Sequence, residues 1–143
     1  MSEIAAVPKG SIASAISGAV VQLMREYTGR GPTRARTYIN DDLITVVLQD
    51  TLTMGERSLV RDGEVDLVLA SRKAFQRTMS REMIAAVEKH SGRSVHAFLS
   101  ENHIDPDIAI ESFVLMGRGD GESAGNADGA ADLAQSPPGD GES

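Results

Sequence analysis

The first periodic pattern along the chain is that of an amphipathic helix. Apolar residues recur at spacings of three and four positions, at Ile12, Ile16, Ala19, Val20, Leu23, Met24 and Tyr27. This spacing places them on one face of an α-helix. We expect Ser11 to cap its N-terminus. Gly29 and Pro32 are expected to end it, because glycine serves as a C-terminal cap and proline cannot continue a helix.

Two segments with the composition of strands follow. Arg34–Ile39 ends in Thr, Tyr and Ile, and Leu43–Gln49 is rich in Ile, Val and Thr, residue types that favour a pleated surface. The polar residues Asn40, Asp41 and Asp42 separate the two segments and are typical of a tight turn. The pattern therefore predicts a β-hairpin.

The period then returns to that of a helix. Thr53–Glu56 has the residues of a capping box, in which the Thr hydroxyl and the Glu carboxylate each accept a backbone N–H. A short helix is expected to run from there to about Val60, with a break at Asp62-Gly63.

A long helix is predicted next, over Glu64–His90. One face of this helix carries Val65, Val68, Leu69, Arg72, Phe75, Met79, Met83, Ala86 and Val87. The 27 residues would extend about 40 Å at about 1.5 Å per residue. This length overhangs a domain of the expected size, so we expect either a bend near Ser80 or packing of the helix end on a second copy of the chain.

The last apolar segments are predicted as two strands. The first is Arg93–Ser100, with Val95, Ala97 and Leu99 on one face and His96 and Phe98 on the other. The second is Ile108–Met116, and Glu101–Asp107 forms a loop between them. The element order α-β-β-α-α-β-β predicts an α+β fold. This is a two-layer sandwich in which a four-stranded antiparallel sheet has helices packed on one face.

Composition divides the chain into three parts. Residues 1–9 are expected to be a flexible N-terminus, and residues 10–116 a single domain. Residues 117–143 hold half of the 14 glycines and six acids against one base, which predicts a disordered acidic tail because such a segment buries too little apolar surface. The net charge of −7 falls mostly in this tail, and the first 116 residues carry 15 acids and 13 bases.

Several classes of function are disfavoured by composition. With no cysteine, the chain offers no disulfide, thiolate nucleophile or Cys-ligated metal. A near-neutral domain with five aromatic residues gives no pull toward nucleic acid. No secretory signal or membrane-spanning run is evident. We therefore expect a cytoplasmic protein that binds no nucleic acid and does not itself insert into a membrane.

A glycine-rich, arginine-rich bend is the first candidate site. Gly29, Arg30, Gly31, Arg34 and Arg36 combine flexible backbone N–H groups with guanidinium forks, which bind phosphate or carboxylate. The spacing matches neither a phosphate-binding loop nor a dinucleotide fingerprint. The alternative is a plain helix-to-strand connection whose arginines pair with the nearby acids Glu26, Asp41 or Asp42.

An acidic loop with histidine is the second candidate. His103, Asp105 and Asp107 lie within five residues, with His96, Glu101 and Glu111 near them in the sequence. Such a cluster could bind a divalent metal. The same residue types also form an ordinary inter-strand turn, since Asp side chains bond local backbone. Recognition of a partner protein is the third interpretation. The identity of any metal stays open.

Four ordered segments resemble the small bacterial MpsC-like family. They are Glu26–Tyr38, Leu48–Arg57, Gly92–Asp107 and Glu111–Leu115, and the resemblance covers about residues 10–116. The family is named for a component of a Na⁺-translocating, membrane-potential-generating system. The resemblance implies an accessory role beside membrane proteins that handle cations or inorganic carbon. It supplies no catalytic residues to carry over.

The sequence as a whole predicts a non-enzymatic accessory or regulatory protein without a cofactor. It would form a homodimer and dock on a partner, such as a membrane transporter, through Tyr27–Tyr38 and the Glu101–Asp107 loop. The alternative is a ligand-binding domain. In that case Arg30, Arg34 and Arg36 would hold an anion such as a nucleotide or bicarbonate, and the loop would hold a divalent metal.

Overall fold

The computed structural model describes residues 8–117 and confirms the predicted order of elements. The elements are α1 (Lys9–Thr28), β1 (Arg34–Asn40), β2 (Leu43–Gln49), α2 (Met54–Arg61), α3 (Val65–Ser91), β3 (Val95–His103) and β4 (Ile108–Leu115). The predicted flexible N-terminus and acidic tail lie outside the described residues, except for positions 8, 9 and 117.

The four strands form one antiparallel sheet in the order β1-β2-β4-β3. β1 and β2 are the predicted hairpin, paired from Arg34 with Gln49 to Asn40 with Leu43. β4 lies in the interior of the sheet, between β2 and β3. This order confirms the α+β class.

The core lies between one face of the sheet and the helices α1 and α3. The sheet contributes Ile44, Val46, Leu48, Ala109, Phe113 and Leu115, and the helices contribute Ile16, Val20, Met24, Met79, Met83 and Val87. These side chains alternate along each strand, as expected for a sheet with one buried face. Phe98 stacks on Phe113 with ring centroids 4.8 Å apart.

The start of α1 differs from the prediction, because the helix begins at Lys9 and Ser11 lies inside its first turn. Pro8 occupies the N-cap position, and its carbonyl accepts the N–H groups of Ser11 at 3.0 Å and Ile12 at 3.2 Å. Ser11 as the cap is therefore wrong. The predicted C-terminal cap is confirmed, since Gly29 adopts φ 79° and donates its N–H to Arg25.

β3 also differs, since it continues to His103 and leaves only residues 104–107 as a turn. A bulge between Val95 and Ala97 shifts the alternation, because it adds one residue to one strand. As a result Val95 and Phe98 both pack against the core, whereas Leu99 is exposed. The predicted division of β3 into two faces therefore holds for Ala97, Leu99 and Phe98 and is wrong for Val95.

α3 is one helix of 27 residues, continuous through Ser80. α2 packs against it, and the two are joined by an ion pair between Arg72 and Glu56. The part of α3 around Arg72 therefore packs on α2 of the same chain, and packing of the helix end on a second copy stays a prediction.

Candidate functional site

Both candidate segments lie at the same end of the sheet. Arg34, at the start of β1, pairs with Gln49 at the end of β2, and Gln49 pairs with Ile108 at the start of β4. The α1–β1 connection, the β2–α2 loop and the β3–β4 turn therefore meet at this end, which we call the loop end (residues 29–33, 50–53 and 104–107).

Asp107 ties two of these segments together. Its Oδ1 accepts hydrogen bonds from the backbone N–H and the hydroxyl of Thr51, both at 3.1 Å, and its Oδ2 accepts the N–H of Leu52 at 3.0 Å. Its backbone carbonyl accepts the N–H of Asp50 at 3.0 Å. The carboxylate faces the neighbouring loop, and it fixes the conformation of that loop.

Arg72 is the second tie, and it is only 6% exposed. Its guanidinium makes a bidentate ion pair with Glu56, at 2.9 and 2.7 Å. It also donates to the carbonyl and hydroxyl of Thr51, each at 2.9 Å, and to Asn102 Oδ1 at 3.1 Å. One side chain thus joins α3 to α2, to the β2–α2 loop and to β3.

Glu56 takes part both in the ion pair with Arg72 and in the capping box of α2. Its carboxylate accepts the Thr53 N–H at 2.9 Å, and the Thr53 hydroxyl accepts the Glu56 N–H at 3.1 Å, which confirms the predicted box. Burial alone would raise the pKa of Glu56. The hydrogen bonds from Arg72 and Thr53 outweigh burial and hold that pKa below its ordinary value.

The three arginines of the first candidate site are not brought together. Arg30 forms an ion pair with Asp50 at 2.7 Å, and Arg57 binds the same carboxylate. Arg34 and Arg36 instead occupy exposed positions of β1. The two glycines serve the backbone: Gly29 caps α1, and a Cβ on Gly31 would lie 3.3 Å from the side chain of Arg25.

The acids proposed as partners of these arginines lie elsewhere. Arg30 pairs with Asp50, not with Glu26, Asp41 or Asp42. Asp42 instead pairs with Arg93 at 2.5 Å, at the opposite end of the sheet. The predicted ion pairing of this bend is confirmed for Arg30. Its partner, Asp50, is remote in sequence.

The three residues of the second candidate also point to separate partners. The ring Nδ1 of His103 donates to the Pro106 carbonyl at 2.8 Å, Asp105 is exposed, and Asp107 faces the amides of Thr51 and Leu52. Within residues 8–117, no group of three or more His, Asp or Glu side chains is arranged to hold a metal ion.

A shallow, open depression of about 540 Å³ lies at the loop end. It is lined by Gln49, Asp50, Leu52, Arg57 and residues 104–108. Arg57, at its wall, is 4.0 Å from Asp107 Oδ2. The depression presents a mixed polar and apolar surface in which most of the charges already have protein partners.

The sequence groups Glu111 with the acidic loop of the second candidate, but its burial was not predicted. Glu111 lies on the core face of β4, is 2% exposed, and its Oε1 has no hydrogen-bond partner within the described part of the chain. Burial raises its pKa to about 7, and the Ser100 hydroxyl and the charge of Arg72 oppose this only in part. Glu111, Arg72 and Asn102 all line one small cavity of about 20 Å³. Two polar residues at core positions, Arg72 and Glu111, were the available signal.

Glu111→Gln is expected to stabilise the protein at high pH. The folded pKa of about 7 lies above the unfolded value of about 4.3. The free energy of unfolding of the wild-type protein therefore falls as pH rises from about 4.3 to about 7, and this loss is complete above pH 7. Near pH 8 the variant should be more stable by about 3 kcal/mol, and near pH 4 the two should be equal.

Urea denaturation at both pH values measures this difference. Glu64→Gln, at the exposed residue that precedes α3 and makes no side-chain cap hydrogen bond, is the matched control and should show no comparable pH-dependent gain. A stability difference for Glu111→Gln that is the same near pH 4 and near pH 8 would show that the buried carboxyl keeps an ordinary pKa.

Comparison with known proteins gives one match. The family model described as "Na+-translocating membrane potential-generating system (MpsC)" matches residues 8–116, nearly the whole described part of the chain. No curated protein and no solved structure matches the sequence. Among the described residues, no helix is both long enough and apolar enough to cross a membrane.

Proposed function

The chain belongs to the MpsC family of the Na⁺-translocating membrane potential-generating system, and from this membership we propose that it is a non-enzymatic accessory protein of such a system. It docks from the cytoplasm on a membrane-embedded partner that handles cations or inorganic carbon. The docking surface is the loop end, where the β2–α2 loop contacts both the α1–β1 connection and the β3–β4 turn.

The observation that carries this proposal is the direction of the charges at the loop end. Asp107 holds the amides of Thr51 and Leu52, and Arg72 holds Glu56 and Thr51. These charged groups form internal bonds, so they stiffen the loops that carry them. Loops held in one conformation lose little entropy when they bind, which favours a recognition surface.

The groups left at the surface suit contact with a protein. His103, Asp105 and Pro106 are exposed on the β3–β4 turn, and Arg57 lines the depression beside them. Charges at the rim of an interface mainly set the association rate and the choice of partner. Asp105 is the residue whose replacement changes this surface with the least effect on the fold, because no hydrogen bond of its side chain is found within residues 8–117.

The docking proposal is tested by the Na⁺-dependent membrane potential of cells that lack the chain. Complementation with the wild type should restore the potential, and Asp105→Lys should fail to do so, because the reversed charge opposes a partner surface selected to fit it. Asp66→Lys, exposed on the first turn of α3 and outside the depression, is the matched control and should restore it.

Binding to inside-out membrane vesicles gives the second readout. The wild type should cosediment with vesicles that contain the system, and Asp105→Lys should bind about tenfold or more weakly. Docking through the loop end would be contradicted if Asp105→Lys bound as tightly as the wild type and also restored the potential in full.

A ligand-binding domain is the second candidate, favoured by the size of the depression. Its volume of about 540 Å³ lies within the range of small-molecule sites. A nucleotide, phosphate, bicarbonate or divalent ion that binds the native state would raise the melting temperature. Such a rise, removed by Arg57→Ala and not by Arg77→Ala on the exposed side of α3, would favour this function over docking.

A further inference from the structure

The sheet has a second face, directed away from the helices. Alternate residues of all four strands lie on it, from Arg36 on the edge strand β1 to Glu101 on the edge strand β3. Four of them are large apolar residues with substantial exposure, namely Tyr38 at 52%, Leu43 at 42%, Leu99 at 57% and Ile110 at 39%. Within residues 8–117 no helix covers this surface, which we call the open face. Leu43 lies beside Val114 and Ile110 beside Val47. Exposed apolar residues grouped on one face in this way are typical of an interaction surface.

Charge is distributed unevenly across the open face. The register places Arg36 beside Val47, Val47 beside Ile110, and Ile110 beside Glu101. One row across the sheet therefore runs from a cation on the edge strand β1, through two apolar residues, to an anion on the edge strand β3. Neither Arg36 nor Glu101 takes part in a salt bridge within the described residues.

This row is complementary to itself under a two-fold axis parallel to the strands. When two sheets face each other across such an axis, β1 of one copy lies over β3 of the other. Because Arg36 and Glu101 share one row, each Arg36 then lies near Glu101 of the partner subunit, and the apolar residues meet in the middle. A two-fold axis perpendicular to the strands would instead place β1 against β1, with arginines close to arginines.

We propose that the chain forms a homodimer by packing the open faces of two sheets, with Arg36 of each copy paired with Glu101 of the partner subunit. The occupant is a second copy because the row from Arg36 to Glu101 matches its own rotated image, as an isologous interface requires. Sheets that pack face to face lie about 10 Å apart with their strands nearly aligned, a separation that long charged side chains at the two edges can span.

The proposed symmetry also sets the direction of the loop ends. A two-fold axis along the strands leaves both loop ends at the same end of the dimer. The dimer would then present two copies of the docking surface to one side. The dimer itself does not depend on the docking role, since either could hold without the other.

Sedimentation equilibrium of the full chain tests the dimer. The wild type should have about twice the mass of one 15.2 kDa chain. Arg36→Glu and Glu101→Arg should each raise the dimer Kd on the order of tenfold or more, because each places like charges opposite one another twice. The double variant Arg36→Glu/Glu101→Arg restores opposite charges, and its Kd should return close to that of the wild type.

Two controls separate the interface from folding and from docking. Arg77→Glu reverses an exposed charge on α3 and should leave the Kd unchanged, and Asp105→Lys should remain dimeric. A wild type that stays monomeric overturns the proposal, including one whose open face is covered by its own residues 118–143. A dimer unaffected by the single charge reversals, or weakened by them and not restored in the double variant, also overturns it.

Discussion

Replacement of Arg72 by Met is expected to lower the free energy of unfolding by about 3–5 kcal/mol, the usual cost of removing one partner of a buried ion pair. The guanidinium is 6% exposed and donates to Glu56, Thr51 and Asn102. Met has a similar length and leaves little cavity, so the loss comes from the unpaired acceptors. The carboxylate of Glu56 would remain in a half-buried position without its cation.

Urea denaturation measures the effect of Arg72→Met. Lys73→Met, at the next and exposed position of α3, is the matched control and should change stability by less than about 0.5 kcal/mol. A loss of less than about 1 kcal/mol for Arg72→Met would mean that the buried guanidinium contributes no more than an exposed one.

Asp107→Ala is expected to cost about 4 kcal/mol. The carboxylate accepts two N–H groups and one hydroxyl from Thr51 and Leu52. A net hydrogen bond to a charged group contributes about 1.5–3 kcal/mol, and such contributions are not additive. Loss of the carboxylate also leaves Thr51, which is 1% exposed, with an unpaired backbone N–H.

Amide hydrogen exchange distinguishes this loss from a general weakening of the fold. In Asp107→Ala the amides of Thr51 and Leu52 should exchange faster by more than the global change in stability explains. Asp105→Ala, two residues earlier on the same turn, should leave both amides protected and the stability nearly unchanged. Equal effects of the two substitutions would contradict the role assigned to Asp107.

The elements that repeat a short pattern were predictable from the sequence. Helical spacing and strand alternation depend on neighbours a few residues apart, so the order of elements and the capping box at Thr53 follow from them. The end of β3 was not predictable in this way. Its ladder continues to His103 because backbone pairing with β4 holds polar residues as well as apolar ones.

The contacts of the loop end were not predictable from one sequence. The bend was expected to pair with acids near it along the chain, but Arg30 meets Asp50 because the β1–β2 hairpin returns the chain to the same place. The sequence did place His103, Asp105 and Asp107 in one group. The sequence did not show in which direction each side chain points. In the structure Asp107 faces the neighbouring loop and Asp105 faces outward.

Arg72 and Glu111 are charged residues at positions where the periodic pattern predicts the core, and the pattern alone does not explain why they are there. Both interrupt apolar patterns, one on α3 and one on β4. A polar residue at a core position requires a partner or an altered protonation state. Arg72 has hydrogen-bond partners, whereas the pKa of Glu111 is raised. Glu111 is the group in the described core best suited to exchange a proton near neutral pH.

The Na⁺-dependent membrane potential, measured in cells that carry Asp105→Lys or Glu111→Gln as their sole copy of the chain, tests most directly whether the protein acts by docking. The docking account predicts that Asp105→Lys fails to restore the potential and that Glu111→Gln, which keeps the loop end intact, restores it. The opposite result, with both variants folded and equally abundant, would contradict this account and assign the function to the buried acid.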